Sequence, residues 1–206
     1  MRFVGDLSKV DAELLARYAA KASVGVLEFG AGGSTQIIAQ KIRPTLPFVT
    51  VETQSKWSRV TRGRLQKLGV SERCRIVSYE EWEHSVPASS RFDVVFVDGL
   101  RNLRLPFALK AWSRLATSGV VIFHDTRRRK DAGDALSLAA KHFEEVSEVR
   151  LNEPVRGRTS NMTVVVRKKL EGYVNWQKTE GLPAWRYGAR NVPPGFWSNE
   201  RPAKRE

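Results

Sequence analysis

Four short apolar runs in this chain each end on a residue able to do chemistry. Val24-Gly25-Val26-Leu27 leads to Glu28, and Phe48-Val49-Thr50-Val51 leads to Glu52. Phe92 to Val97 leads to Asp98, and Gly119 to Phe123 leads to His124 and Asp125. Carboxylates accept hydrogen bonds from hydroxyls and amines and take up protons or cations. An imidazole titrates near neutrality, so it can take a hydroxyl proton. His124 is therefore the candidate general base, and Asp98 competes with it. His84 and His142 fall in a polar loop and at a helix end, and carry no catalytic expectation. The first run also continues as Glu28-Phe29-Gly30-Ala31-Gly32-Gly33-Ser34-Thr35. A strand, a glycine turn and a helix in that order let backbone N–H groups come close to a nucleotide.

The elements that position these residues are legible as patterns. The strand runs are near-continuous apolar stretches, as expected of strands buried on both faces of a parallel sheet. Leu7 to Ala22 reads as an amphipathic helix with Asp11 and Glu13 in its first turns. The pattern predicts further helices over Ser34 to Ile42, Lys56 to Leu68 (capped by Ser55), Leu105 to Ala116 and Lys130 to His142. It predicts strands at Val24 to Phe29, Phe48 to Val51, Cys74 to Ser78, Phe92 to Val97 and Val120 to Phe123. Val146 to Leu151 and Met162 to Arg167 read as a final antiparallel pair. Right-handed crossovers make this an α/β, doubly wound sheet with helices on both faces. Its chemistry then falls at the carboxyl ends of the strands, where Glu28, Glu52, Asp98, His124 and Asp125 all lie.

The glycine spacing departs from the dinucleotide fingerprint. Gly30 and Gly32 fit its first two glycines, but Thr35 stands where the third belongs, which argues against NAD or FAD. Glu52 follows the turn by roughly 20 residues, where an acid can accept from a ribose diol.

With these residues the chain resembles the class I methyltransferases that use S-adenosylmethionine, and within them the O-methyltransferases. The likeness rests on Glu28 to Thr35, Glu52, Phe96-Val97-Asp98-Gly99 and Phe123-His124-Asp125-Thr126, and spans roughly Val24 to Lys168. Ser34 takes the last position of the family's usual Gly-x-Gly-x-Gly. The resemblance implies a Rossmann-like methyltransferase sheet of strand order 3-2-1-4-5-7-6 with the last strand antiparallel. It implies S-adenosylmethionine as cofactor, with Glu28, Gly30, Gly32, Ser34, Thr35, Glu52 and Asp98 around it and the glycine turn under its methionine part. The loop Tyr79-Glu80-Glu81-Trp82 lies by the adenine in that family, which makes Glu81 and Trp82 candidates for holding it. Some relatives bind a divalent metal such as Mg through two strand-end acids, here Asp98 and Asp125. The residue after the second acid is often Asn there and is Thr126 here.

The chain has 206 residues and a formal net charge of +13. Between Arg101 and Lys130 eight basic residues face the single acid Asp125. Arg101, Arg104 and the run Arg127 to Lys130 follow strand ends, so they are expected to ring the site. Arg101, Arg127 and Arg128 are the candidate substrate contacts. Such a field favours an anionic acceptor. The reading is therefore methyl transfer to an oxygen of an anionic small molecule or saccharide-like metabolite. The alternatives are methylation of RNA, or a non-catalytic protein that binds S-adenosylmethionine. RNA suits the charge, but no separate RNA-binding module is visible, and no Asn/Asp-Pro-Pro-aromatic motif follows strand four. The acids at every strand end argue against a non-catalytic protein.

One cysteine, Cys74, rules out an internal disulfide and fits a reducing compartment. No apolar run is long enough for a membrane span and no secretory signal is seen, so a cytoplasmic protein is expected. A homo-oligomer is compatible with the sequence. The organisation reads as a methyltransferase domain over residues 1–169, including the N-terminal helix, and an aromatic, basic extension over 170–206. The extension holds Trp176, Trp185 and Trp197, and is expected to pack on its own domain, on the substrate site or on a partner.

Overall fold

The computed structural model describes residues 3–168. The expectations for the segment from Leu170 onward, and for a domain boundary at 169, lie outside these residues. Among the described residues no helix is long and apolar enough to cross a membrane.

The described residues form nine strands and six α-helices, alternating in the main as far as α6. The strands are β1 (Val26–Phe29), β2 (Phe48–Glu52), β3 (Arg75–Ser78), β4 (Phe92–Val97), β5 (Leu115–His124), β6 (Val146–Arg150), β7 (Pro154–Val155), β8 (Arg158–Thr159) and β9 (Met162–Arg167). The helices are α1 (Lys9–Lys21), α2 (Gly33–Lys41), α3 (Ser55–Lys67), α4 (Trp82–Ser85), α5 (Arg104–Trp112) and α6 (Arg129–Lys141). Seven strands form one sheet of order β3-β2-β1-β4-β5-β9-β6. The pairs among β1 to β5 are parallel, and β9 runs antiparallel to both β5 and β6. This is the expected order, with two hairpin strands added to the numbering before the last strand. Every residue of β1 and β2 is buried, which is why these strands lack alternation.

The sheet separates two apolar layers. One holds Leu14 and Leu15 of α1, Ile38 of α2 and Leu65 of α3 against Val26, Phe96 and Ile122. The other holds Trp82, Phe107, Ala111 and Leu136 of α4, α5 and α6 against Phe29, Val95 and Phe123. Burying each large side chain is worth roughly 1.5–3 kcal/mol, so both layers fix the strand ends firmly.

Local differences from the sequence pattern have identifiable causes. α1 starts two residues later than Leu7 because Ser8 caps it, its Oγ accepting from Asp11 N at 3.1 Å. α3 is preceded by Gln54 and not capped by Ser55, which is its first helical residue. α5 ends at Trp112, and the segment from Leu115 belongs to β5, with Leu115 opposite Phe92 before a register shift. The β7–β8 hairpin was not visible as a pattern, since its strands are only two residues long. Its turn residues Arg156 and Gly157 have φ of 50° and 76°, as in a two-residue turn with positive φ at both centres.

Candidate active site

The first wall of the site is the turn after β1. Gly30 N donates to Val51 O at 2.9 Å, and Asp98 N donates to Phe29 O at 2.9 Å, which ties the ends of β1, β2 and β4 together. Gly30 has φ +100°, and a Cβ there would meet Gly99 N at 2.8 Å and the Asp98 carbonyl at 2.9 Å. Only glycine permits that approach. Thr35 Oγ1 accepts from Gly32 N at 2.9 Å and donates to Glu28 Oε2 at 2.7 Å. Thr50 Oγ1 donates to the same oxygen at 2.7 Å. Glu28 is wholly buried, and burial pushes its pKa up to about 7 against the pull of the surrounding hydroxyls. Glu28 and Thr35 thus brace the turn from beneath.

Glu52 closes the next strand end. Its Oε2 accepts from Ala31 N at 2.7 Å and its Oε1 from Gln54 N at 2.8 Å. A carboxylate oxygen has a second lone pair, and Glu52 lines a cleft of about 770 Å³ at the carboxyl edge of the sheet. Gly30, Gly32 and Ser34 line the same cleft. A Cβ at Gly32 would meet nothing within 4 Å, so the turn is open on that side. The chain's beginning closes the cleft from above: Val4 exchanges hydrogen bonds with the Gln36 side chain at 3.1 and 3.0 Å, and Val4 to Leu7 are lining residues. A smaller cleft of about 420 Å³, lined by Phe48, Arg75 and Phe92, opens at the amino edge of the sheet, away from the acids.

The floor of the larger cleft is a charged cluster at the ends of β4 and β5. His124 Nδ1 lies 3.0 Å from Asp98 Oδ1 and 3.9 Å from Asp125 Oδ1, and its Nε2 lies 3.9 Å from Asp11 Oδ2. Burial disfavours the charged imidazole, but Asp98, Asp11 and Asp125 together outweigh it and hold the pKa up at about 10. Asp125 has φ +61°, a costly conformation for a non-glycine residue that concentrates at functional sites. Its Oδ1 accepts from Asn161 Nδ2 at 3.1 Å and its Oδ2 from Arg128 Nη1 at 2.7 Å. Asp98 Oδ1 accepts from Arg104 Nη2 at 2.9 Å. Among the described residues Asp98 Oδ2 receives no hydrogen bond, and Asp98 lines the cleft.

The structure therefore brings Asp98, His124 and Asp125 together, with Glu52 and the glycine turn across the cleft. It moves four other residues away from their expected places. Trp82 is 1% exposed and packs edge-on to Phe29, with ring centroids 5.5 Å apart. An indole locked in the core cannot stack on a ligand. Glu81 precedes α4 and does not line the cleft, whereas Trp57, 42% exposed, does. Arg127 turns toward the hairpin, donating to Thr159 O at 3.0 Å. Arg104 was expected on the rim and is 4% exposed in the floor. Arg101 and Arg128 do line the cleft, joined by Arg64 of α3. The sequence reading missed Asp11, seen only as a helix-dipole acid, and the roles of Arg104 and Asn161. A basic residue six positions after a strand-end acid was the available sign of Arg104.

The acceptors match a cofactor with a ribose diol and an ammonium: acids at Glu52 and Asp98, with an open backbone turn between them. Residues 27–126 match the family model described as "Methyltransferase domain". Solved structures share the fold. An O-methyltransferase from Bacillus cereus in complex with SAH is 18% identical at TM-score 0.63, covering 79% of this chain and 83% of that one. TomG from Streptomyces achromogenes, an O-methyltransferase involved in tomaymycin synthesis, solved with SAM, is 19% identical at TM-score 0.60, covering 80% and 83%. The cofactor-bound Rv0187 from MTB is 21% identical at TM-score 0.62, covering 80% and 84%. Among curated proteins none matches the chain. Residues 27–126 are thus similar to a methyltransferase domain, and the described residues share the fold of these O-methyltransferase structures. S-adenosylmethionine is the cofactor of that class.

Proposed function

We propose that this protein transfers the methyl group of S-adenosylmethionine to an oxygen of an anionic small molecule. The observation that carries the reading is one cleft that joins the open glycine turn and Glu52 to the Asp98–His124–Asp125 floor. When bound, the cofactor supplies a methyl group on a sulfonium, which an acceptor oxygen takes with release of the thioether. Glu52 would accept from the ribose diol through the remaining lone pair of its Oε2, and Trp57 would offer a face to the base. Asp98 Oδ2, which the floor leaves unbonded, orients the acceptor hydroxyl and takes its proton as the O–C bond forms. His124 does not take that proton, because an imidazolium has both nitrogens protonated and no lone pair to offer. It acts as a fixed positive charge that keeps the Asp98 carboxylate aimed. Arg64 sets the sign of the acceptor at the cleft mouth, beside Arg101 and Arg128, whose charges Asp131 and Asp125 partly meet.

The test is methyl transfer from labelled S-adenosylmethionine to a panel of anionic hydroxylated compounds and their neutral counterparts. The expected result is transfer to anionic members, with an acceptor KM that rises with salt because the rim is solvent-exposed. Arg128→Glu should raise that KM and leave the cofactor's KM unchanged. Preference for neutral acceptors with no response to salt would remove the anionic assignment.

A further inference from the structure

The acids Asp98 and Asp125, with His124, offer ligand-type atoms that all lie within 4.8 Å of one another. A divalent ion at such a place wants about six oxygen ligands in near-octahedral array. The space between the two acids is already served by a cation. Arg104 Nη2 lies 2.9 Å from Asp98 Oδ1 and 3.3 Å from Asp125 Oδ2, bridging them. The guanidinium is held from behind as well. Its Nη1 donates to His124 O at 2.9 Å, and its Nε donates to Gly99 O at 3.3 Å. Nη1 also lies 3.1 Å from the fully buried Asp131. Turning Arg104 aside to admit an ion would strand Asp131 without its closest cation and break both carbonyl bonds.

Charge leads to the same place. Asp98, Asp125 and Asp131 face Arg104, Arg128 and Arg101, the last 3.7 Å from Asp131. His124 sits between Asp11 and Asp98. The three acids around Arg104 are matched by three arginines, and a divalent ion would add two charges to a site already balanced. Asp125 has both oxygens taken, by Asn161 on one side and by two arginines on the other. The residues present do not fit a metal.

We infer that Arg104 stands where a divalent ion would, a built-in cation that clamps the two strand-end acids and makes the site independent of metal. Arg104 is a positioning residue: it sets Asp98 and Asp125 and touches neither ligand. The inference rests on the proposed function only in naming methyl transfer as the reaction served. The test reads metal binding itself. Mn²⁺ is titrated into the full chain and its free signal followed by electron paramagnetic resonance. The native protein should show no saturable site. Arg104→Ala should gain one, at least about tenfold tighter than any native binding, the scale on which outer partners tune metal sites. That gain should vanish when Asp125→Asn is added. Arg104→Lys, which keeps a cation, should gain nothing, so a mere structural loosening is separated from the loss of charge. S-adenosylmethionine binding by the native protein should be unchanged by a chelator.

A saturable native Mn²⁺ site that Asp125→Asn abolishes would overturn the inference. So would a folded Arg104→Ala protein with no gain. If Arg104→Ala does not fold, the native titration decides alone. Failure to bind S-adenosylmethionine would remove the methyl-transfer reading and leave the Mn²⁺ result standing.

Discussion

Asp98 is the residue on which the proposed proton transfer turns. Its Oδ1 is committed to Arg104 and lies against His124, which leaves Oδ2 as the proton acceptor. Asp98→Asn preserves the shape and removes the base, so transfer should fall by roughly 10²–10⁴-fold, read as the turnover number of a folded protein. Glu28 makes a different prediction. Its ordinary value is 4.5 and the fold raises it to about 7. The folded state therefore favours the neutral acid, and stability falls as pH rises from the unfolded value through the folded one. Glu28→Gln keeps an acceptor for Thr35 and Thr50 and cannot ionise. Its melting temperature should drop less than the native protein's between about pH 5 and pH 8. His124, raised from 6.5 to about 10, adds a loss of stability over the upper part of that range in both proteins. An equal drop in native and variant would refute the Glu28 account. The strand-end acids and His124 were legible because an apolar run marks its own end. Trp82 and Arg104 were not, because the direction of a side chain is set by packing. Trp82 was drawn into the layer beneath Phe29, and Arg104 was pulled down by nearby Asp98 together with Asp125 and Asp131, which are distant in sequence.

At the scale of elements, the site depends on strand ends that approach more closely than side chains allow. Gly30 lies where β1 meets the end of β4, with no room for a Cβ and with φ in the left-handed region. Gly30→Ala must part those strand ends or strain the turn, at a cost of about 1–3 kcal/mol for the backbone alone. Thermal unfolding should show that loss, and cofactor affinity should fall with it. A variant as stable as the native protein with full affinity would contradict the role given to the turn. Element types and the sheet order followed from apolar runs and from the family likeness, because buried parallel strands leave a plain sequence signal. Boundaries were less legible. Leu115 and Ala116 looked like the end of a helix, yet pairing of Leu115 with Phe92 at the start of β4 drew them into β5. The β7–β8 hairpin left no periodic signal, and Arg156 in its turn is an unusual residue for positive φ.

Across the whole molecule, one edge of the sheet gathers everything chemical. The turn after β1, the acid after β2, and the charged ends of β4 and β5 open on one cleft, while the amino edge holds none of them. The basic balance of the chain was readable from composition. Its division into buried clamps and exposed rim was not: Arg104 went below, Arg101 and Arg128 stayed above, and Arg127 turned to the hairpin. We propose that this cleft is where S-adenosylmethionine binds. Calorimetric titration of the full chain with S-adenosylmethionine, its demethylated product and NAD tests it most directly. The first two should bind once per chain at micromolar strength, and NAD should not. Glu52→Ala should weaken both by about 1.5–3 kcal/mol, the worth of hydrogen bonds to a charged acceptor. Tight NAD binding, with no heat from the methyl donor or its product, would contradict it.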